Sequence, residues 1–294
     1  MATSSRFIEQ VDDDEKDDKG TQHLDFSHLG TEEEVLDALE EMAELRNIVR
    51  EGILLTGGPV TILLQAARPG MTDAAERGHN LAEQLLEGLR NCSLFTYGLC
   101  FGTRQERKRI LDLLYRKRSQ HTPARYYPED PKLRLWIAAT FYAVGVELYH
   151  RLFESVDYRR AQRIYREYTI LTVAMQLPQN VWPQDRTAFW AYWDAEVEQL
   201  QVDPAAKPVV QDLNSYPNMS TWVRWMKPFL RIITAEMLPP HIRAQYGFRS
   251  TKISRFKYRI MVGSAKAIYP TLPAFVRTHP MKRALKQVRA QINS

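Results

Sequence analysis

The feature that most narrows the folds open to this chain is the spacing of its apolar residues. They recur at three- and four-residue intervals in segment after segment, and long strand-like alternation is absent. Lys132–Phe153 is strongly apolar and reads as the central helix of a core. Thr31 reads as an N-cap, with Glu34 at the capping-box position, opening a helix through about Arg50. Acids crowd the start of that helix, and Arg46 and Arg50 its end, as the helix dipole favours. Gly52–Ala67 is apolar, begins as a turn around Gly57-Gly58-Pro59, and continues as a buried helix that Pro69-Gly70 ends. Helices are further expected over Asp73–Leu99 and over Arg104–Arg118, with Ile110, Leu111, Leu113 and Leu114 inward. Others should cover Tyr158–Met175, Thr187–Gln199, Ser220–Glu236, Arg255–Tyr269 and Met281–Ile292. The expected fold class is all-α.

With 294 residues, 44% of them hydrophobic, the chain can bury a sizeable core and still enclose a cavity. Met1–Gly30, with Asp12-Asp13-Asp14-Glu15, reads as a flexible acidic leader. Residues 31–294 then form one α-helical domain with an internal pocket. Gly52–Ala67 and Trp136–Leu148 fall short of the roughly 18 apolar residues that a spanning helix needs. The polar start is unlike a signal peptide. Cys92 and Cys100 sit two helical turns apart, about 12 Å, beyond disulfide reach. Reduced thiols suit an intracellular protein.

The net charge of +5 hides an asymmetry. Residues 1–50 carry fifteen acids against five bases, whereas residues 241–294 carry twelve Lys/Arg and no Asp or Glu. Three readings of the basic end stay open: a solvated face balanced by the acidic N-terminus, peripheral contact with an anionic membrane, or nucleic acid. No zinc-finger spacing or RNP-like aromatic segment accompanies the charge, so no nucleic-acid partner is expected.

Several chemistries are missing from the sequence. Gly57-Gly58 is not followed by the Gly-Lys-Ser/Thr of a phosphate loop, and no GxSxG elbow marks a serine hydrolase. The histidines form no HExxH or two-His-one-carboxylate spacing, so no metal site is indicated. Glu147 and His150 imitate half of a di-iron site, but they lie near the end of a strongly apolar helix. His150 therefore reads as a structural histidine near a helix end.

One ordered series of short motifs is not generic. Leu89-Arg90-Asn91-Cys92 precedes Phe101-Gly102-Thr103, then Leu114-Tyr115-Arg116-Lys117-Arg118-Ser119, then Tyr126-Tyr127-Pro128-Glu129-Asp130-Pro131-Lys132-Leu133 and Leu135-Trp136-Ile137-Ala138-Ala139-Thr140. Tyr165-Arg166-Glu167, Trp182-Pro183, Phe189 with Tyr192-Trp193, and Leu238-Pro239-Pro240 near Arg243 and Tyr246-Gly247 follow in order. The series resembles the family of ER-bound oxygenases named after MpaB, which includes the rubber oxygenase latex clearing protein, and it runs from about residue 46 to residue 280.

That resemblance implies an α-helical fold and, in active members, haem b in an internal pocket. It also implies site residues, and here the chain departs from the pattern. The family's distal arginine position reads Gly88, its threonine Cys92, its iron-binding histidine Arg118, and the histidine paired upstream Tyr115; Asn91 is retained. Guanidinium has only N–H donors and no lone pair for iron. His121, one turn beyond Arg118, is the fallback ligand if haem b is bound.

The expected pocket is lined by Phe95, Tyr97, Trp136, Phe141 and Tyr142 and suits a terpenoid or polyketide skeleton. Arg118 would polarise a substrate carbonyl with help from Tyr115 and Asn91, or else pair structurally with Glu87 or Asp112. The leading reading is a haem-free biosynthetic enzyme performing a redox-neutral cyclisation, cycloaddition or isomerisation. A haem b oxygenase and a non-catalytic lipid-binding protein are the alternatives.

Overall fold

A computed structural model of the chain describes residues 31–74, 80–119, 130–153, 156–178, 180–215 and 221–292, and among them secondary structure is helical throughout. The fold is all-α, as the periodicity requires. The acidic leader Met1–Gly30 lies outside the described residues.

The expected capping box is present. Thr31 accepts from the Glu34 amide at 3.3 Å, and the Glu34 carboxylate accepts from the Thr31 amide at 2.8 Å. The helix it opens does not reach Arg50, however. It splits into α1 (Glu32–Glu41) and α2 (Glu44–Val49), with an extended Met42 between. The carboxylate of Glu167 explains the break: it accepts from the amides of Ala43, Glu44 and Leu45 at 3.1, 3.2 and 2.6 Å. A charged acceptor from another helix thus satisfies the exposed donors of a second helix start.

A 3-10 turn, Gly52–Gly57, leads into α3 (Gly58–Ala66), whose residues are buried except Pro59. The glycine pair is steric in purpose. A Cβ on Gly57 would stand 2.6 Å from Leu148 and 2.7 Å from Val144, and one on Gly58 would stand 2.9 Å from Leu89. After the short α4 (Met71–Ala74), α5 (Leu81–Phe101) starts at Asn80, whose side chain accepts from the amides of Ala82 and Glu83. The single helix expected over Asp73–Leu99 is therefore two. Next, α6 (Arg104–Ser119) opens on an unforeseen capping box between Thr103 and Glu106, at 2.9 and 3.2 Å.

The apolar segment around Trp136 is α7 (Pro131–Leu152), capped by Asp130. α8 (Tyr158–Ala174) and α9 (Arg186–Gln199) follow, then α10 (Val209–Ser215), α11 (Thr221–Met237) and α12 (Pro240–Gln245). The chain closes with α13 (Lys252–Ile268), the one-turn α14 (Ala274–Arg277) and α15 (His279–Ile292).

Three apolar clusters hold these helices together. In the first, α3 packs on α5 and α7, with Trp136 fully buried and its indole donating to the Leu64 carbonyl at 3.2 Å. In the second, α1, α2, α5 and α6 meet the tip of α8, and α15 closes over them with Ala284 and Val288. The third is aromatic: Tyr142, Tyr165, Trp182 and Phe189 join α7, α8 and α9, with the Tyr142 and Phe189 rings 4.8 Å apart and edge to face. Acidic α1 also lies on basic α6, where Arg104 pairs with Glu33, Asp37 and Glu40 at 2.6–3.0 Å.

Candidate functional site

Where the three clusters meet, packing leaves a partly open cavity of about 180 Å³. Its wall comes from α2, the 3-10 turn, α3, α5, α7 and α8. Leu45, Val49, Leu54, Ile137, Phe141 and Ile164 are typical of the lining, and Leu55, 46% exposed, stands at its rim.

Most hydroxyls in the wall are turned back to main chain. Ser93 donates to Leu89 at 2.7 Å, Thr172 to Thr169 at 2.8 Å, Thr61 to Gly57 at 3.3 Å, and Tyr168 to Ala138 at 2.8 Å. Burial raises the phenols of Tyr97, Tyr142 and Tyr168 well above the usual tyrosine range, so they stay neutral near pH 7. The cavity thus presents a surface close to hydrocarbon.

Arg134 is the one charged residue among those of the described wall. It lies on the face of α7 that also carries Ile137, Ala138, Phe141 and Gly145, at helical spacing. Its Nη1 donates to the carbonyl of Gln176 at 3.3 Å. That carbonyl is fixed by the end of α8, where Gln176 takes a left-handed φ of 66°. The Gln176 amide returns to Val173 and the Leu177 amide to Thr172, the paired bonds of a Schellman cap. Glycine usually fills such a position; a glutamine held there marks a constrained backbone beside the cavity.

The residues singled out in the sequence scatter. Phe141 and Tyr142 line the cavity, as does Tyr97. Trp136 stands behind the wall, stacked on Trp193 with centroids 5.2 Å apart, and Phe95 belongs to the cluster under α15. Both fell on the apolar side of their helices, which in a multi-helix bundle faces packed neighbours as often as a cavity. Asn91 is half-buried on α5, off the cavity-facing row of Leu89, Cys92, Ser93 and Thr96. Tyr115 and Arg118 lie on the last turn and a half of α6, with side chains outside the described residues, as is His121 altogether. Arg134, in contrast, went unnoticed inside the Lys132-to-Trp136 motif. Its signal was a charge on the inward face of a strongly apolar helix.

His150 sits in a small recess with Tyr149, Arg186 and Trp190, where burial and then Arg186 hold its pKa below the usual histidine value. Glu147, its neighbour, is ion-paired with Arg151, so the pair is not a metal half-site. No group of metal-binding side chains occurs among the described residues. The described wall does not match the haem b that the resemblance implies. It holds no histidine to bind the iron.

Residues 45–267 match the family model described as the catalytic domain of the ER-bound oxygenase mpaB/B′ and rubber oxygenase. Two uncharacterised proteins, one from Mycobacterium bovis and one from Mycobacterium tuberculosis, are each 25% identical over 213 residues, covering 68% of this chain and 84% of theirs. No solved structure matches the chain.

Proposed function

Because this chain belongs to the MpaB and rubber oxygenase catalytic-domain family, we propose that it is an enzyme acting on a lipophilic small molecule held in the cavity. The observation that carries this reading is a single guanidinium set in an otherwise uncharged, mostly apolar wall. An oily skeleton gains by leaving water for such a space, and one carbonyl on it would be drawn to Arg134.

The proposed step is a redox-neutral reorganisation of the substrate's own bonds, a cyclisation, cycloaddition or isomerisation, in which nothing is gained or lost. Arg134 would stabilise negative charge developing on a carbonyl oxygen at the cavity wall. The wall would fold the substrate into a reactive shape, which alone supplies several kcal/mol. The oxyanion role first assigned to Arg118, with Tyr115 and Asn91, passes in this reading to Arg134. No step is routed through haem.

The test begins with the visible spectrum of freshly purified protein. A colourless sample is expected; a Soret band at one haem per chain, lost in His121→Ala, would return the protein to haem b oxygenation. Solvent extraction and mass spectrometry should then identify a co-purified apolar molecule. With that molecule as ligand or substrate, Arg134→Leu is expected to cut turnover about 10²-fold or more, as loss of one oxyanion donor does. Arg134→Lys should recover little, since a point charge does not reproduce the planar fork. Full activity in Arg134→Leu would overturn the assignment.

A further inference from the structure

The basic C-terminal region carries a surface that the cavity does not use. α13 has three faces. One packs on the body through Tyr258, Val262 and Ala265. A second holds Ile253, Phe256 and Ile260, which are 67%, 56% and 52% exposed and one helical turn apart, and Ile268 continues it at 59%. Phe275 on α14 is 67% exposed as well. The third face is a row of Lys252, Arg255, Arg259 and Lys266, all exposed and at helical spacing.

Single exposed apolar residues are ordinary on a protein surface, but a row of large ones rimmed by a single sign of charge marks a contact. We propose that this face of α13 and α14 lies flat on an anionic lipid bilayer, with the Ile and Phe side chains in the acyl boundary and the Lys and Arg row among the headgroups. The charge argues for lipid. Residues 241–294 contain no carboxylate to neutralise the row, so an anionic leaflet complements it. A second copy meeting this face would set the two basic rows against each other. Nucleic acid would pair with the row yet leave the isoleucines and phenylalanines in water. The contact is in-plane, since no helix among the described residues is long and apolar enough to cross a membrane.

Next to that face, the turn after α13 and the start of α15 pack on the rim of the cavity. The Ile53 amide donates to the Tyr269 hydroxyl at 3.2 Å, and Gly52 fits against Pro280 so closely that a Cβ would stand 2.7 Å from its ring. Leu54 and Leu55 of the same 3-10 turn line the cavity. Docking is nonetheless a property of this surface, whatever reaction the cavity serves.

Vesicle flotation of the full chain tests it. Binding is expected to phosphatidylcholine vesicles containing phosphatidylserine, weakening as salt rises, and not to pure phosphatidylcholine. Changing Ile253, Phe256 and Ile260 together to Ser should weaken binding by at least about tenfold. Each of Lys252→Gln, Arg255→Gln, Arg259→Gln and Lys266→Gln should cost about fivefold. Because all seven side chains are exposed, the variants should keep the wild-type melting temperature. Four results would overturn the proposal: no vesicle binding, equal binding to neutral vesicles, unchanged binding by the triple Ser variant, or a dimer in sedimentation velocity that this variant abolishes.

Discussion

At the scale of single residues, the decisive side chains are those that serve a partner far away in the chain. The Glu167 carboxylate accepts from three amides and so completes the start of α2, more than 120 residues earlier. Glu167→Ala leaves three amides short of their acceptor, and loss of a cap costs about 1–2 kcal/mol. The melting temperature should fall by about 3–6 °C for a chain of this size, read by calorimetry; an unchanged value would mean that water replaces the carboxylate without loss. Local signals of this kind are legible when both halves lie within one turn, as the Thr31–Glu34 box was. Tyr165-Arg166-Glu167 stood out as a family motif, but nothing in it says which amides Glu167 would meet. Arg134 was legible in principle, because a charge on the inward face of α7 conflicts with its pattern. The family resemblance points instead to Arg118, a position set by likeness to other proteins and not by the spacing of α7.

At the scale of elements, the periodicity placed every long helix and missed two breaks, the first of which is made by a tertiary contact, the Glu167 carboxylate. Residues 31–50 and 73–99 each read as one helix and are each two. The glycines tell a similar story: Gly98 looks like a weak point in α5, yet it is where α5, α6 and α15 cross. A Cβ there would stand 2.4 Å from Ile110 and 3.2 Å from Val288. Gly98→Ala should therefore lower stability by about 1–3 kcal/mol, the usual cost of overfilling a packed core, although alanine is the better helix former. A denaturation midpoint at or above that of wild type would show that α15 is loosely seated. The same crossing is pinned by charge. Arg289 of α15 donates to Glu106 of α6 at 2.8 Å, and that bond, then the Thr103 amide, holds the Glu106 carboxyl below the usual carboxylate range. A depressed pKa stabilises the fold above the unfolded value of about 4.3 and loses that contribution as pH falls through the folded value. Since Arg289 is half exposed, the pair is worth at most about 1 kcal/mol. Wild type should melt about 1–3 °C above Glu106→Gln at pH 7, and the gap should narrow as pH falls below about 4.3; a gap unchanged in acid would assign the effect to packing.

At the scale of the whole molecule, the cavity follows from how three cores share one chain. Each cluster closes well on its own: Trp136, Tyr165 and Phe189 are fully buried. The elements joining them, the 3-10 turn after α2 and the glycine-lined start of α3, approach without filling the centre. Composition announced enough apolar side chains to enclose a space, but not where it would lie, because a void belongs to no single helix. A void costs stability in proportion to its size, and an apolar occupant should return part of that cost. Indole or a similar small aromatic ligand suits about 180 Å³, since a lined cavity of comparable size binds benzene. At a hundredfold excess over its Kd, such a ligand adds about 2.7 kcal/mol and should raise the melting temperature by about 5–8 °C. Ala138→Phe, which pushes a ring into the same space, should abolish that rise. If indole stabilises the Ala138→Phe protein as much as wild type, the ligand binds elsewhere, and the junction of the three cores is a packing defect and not a binding site.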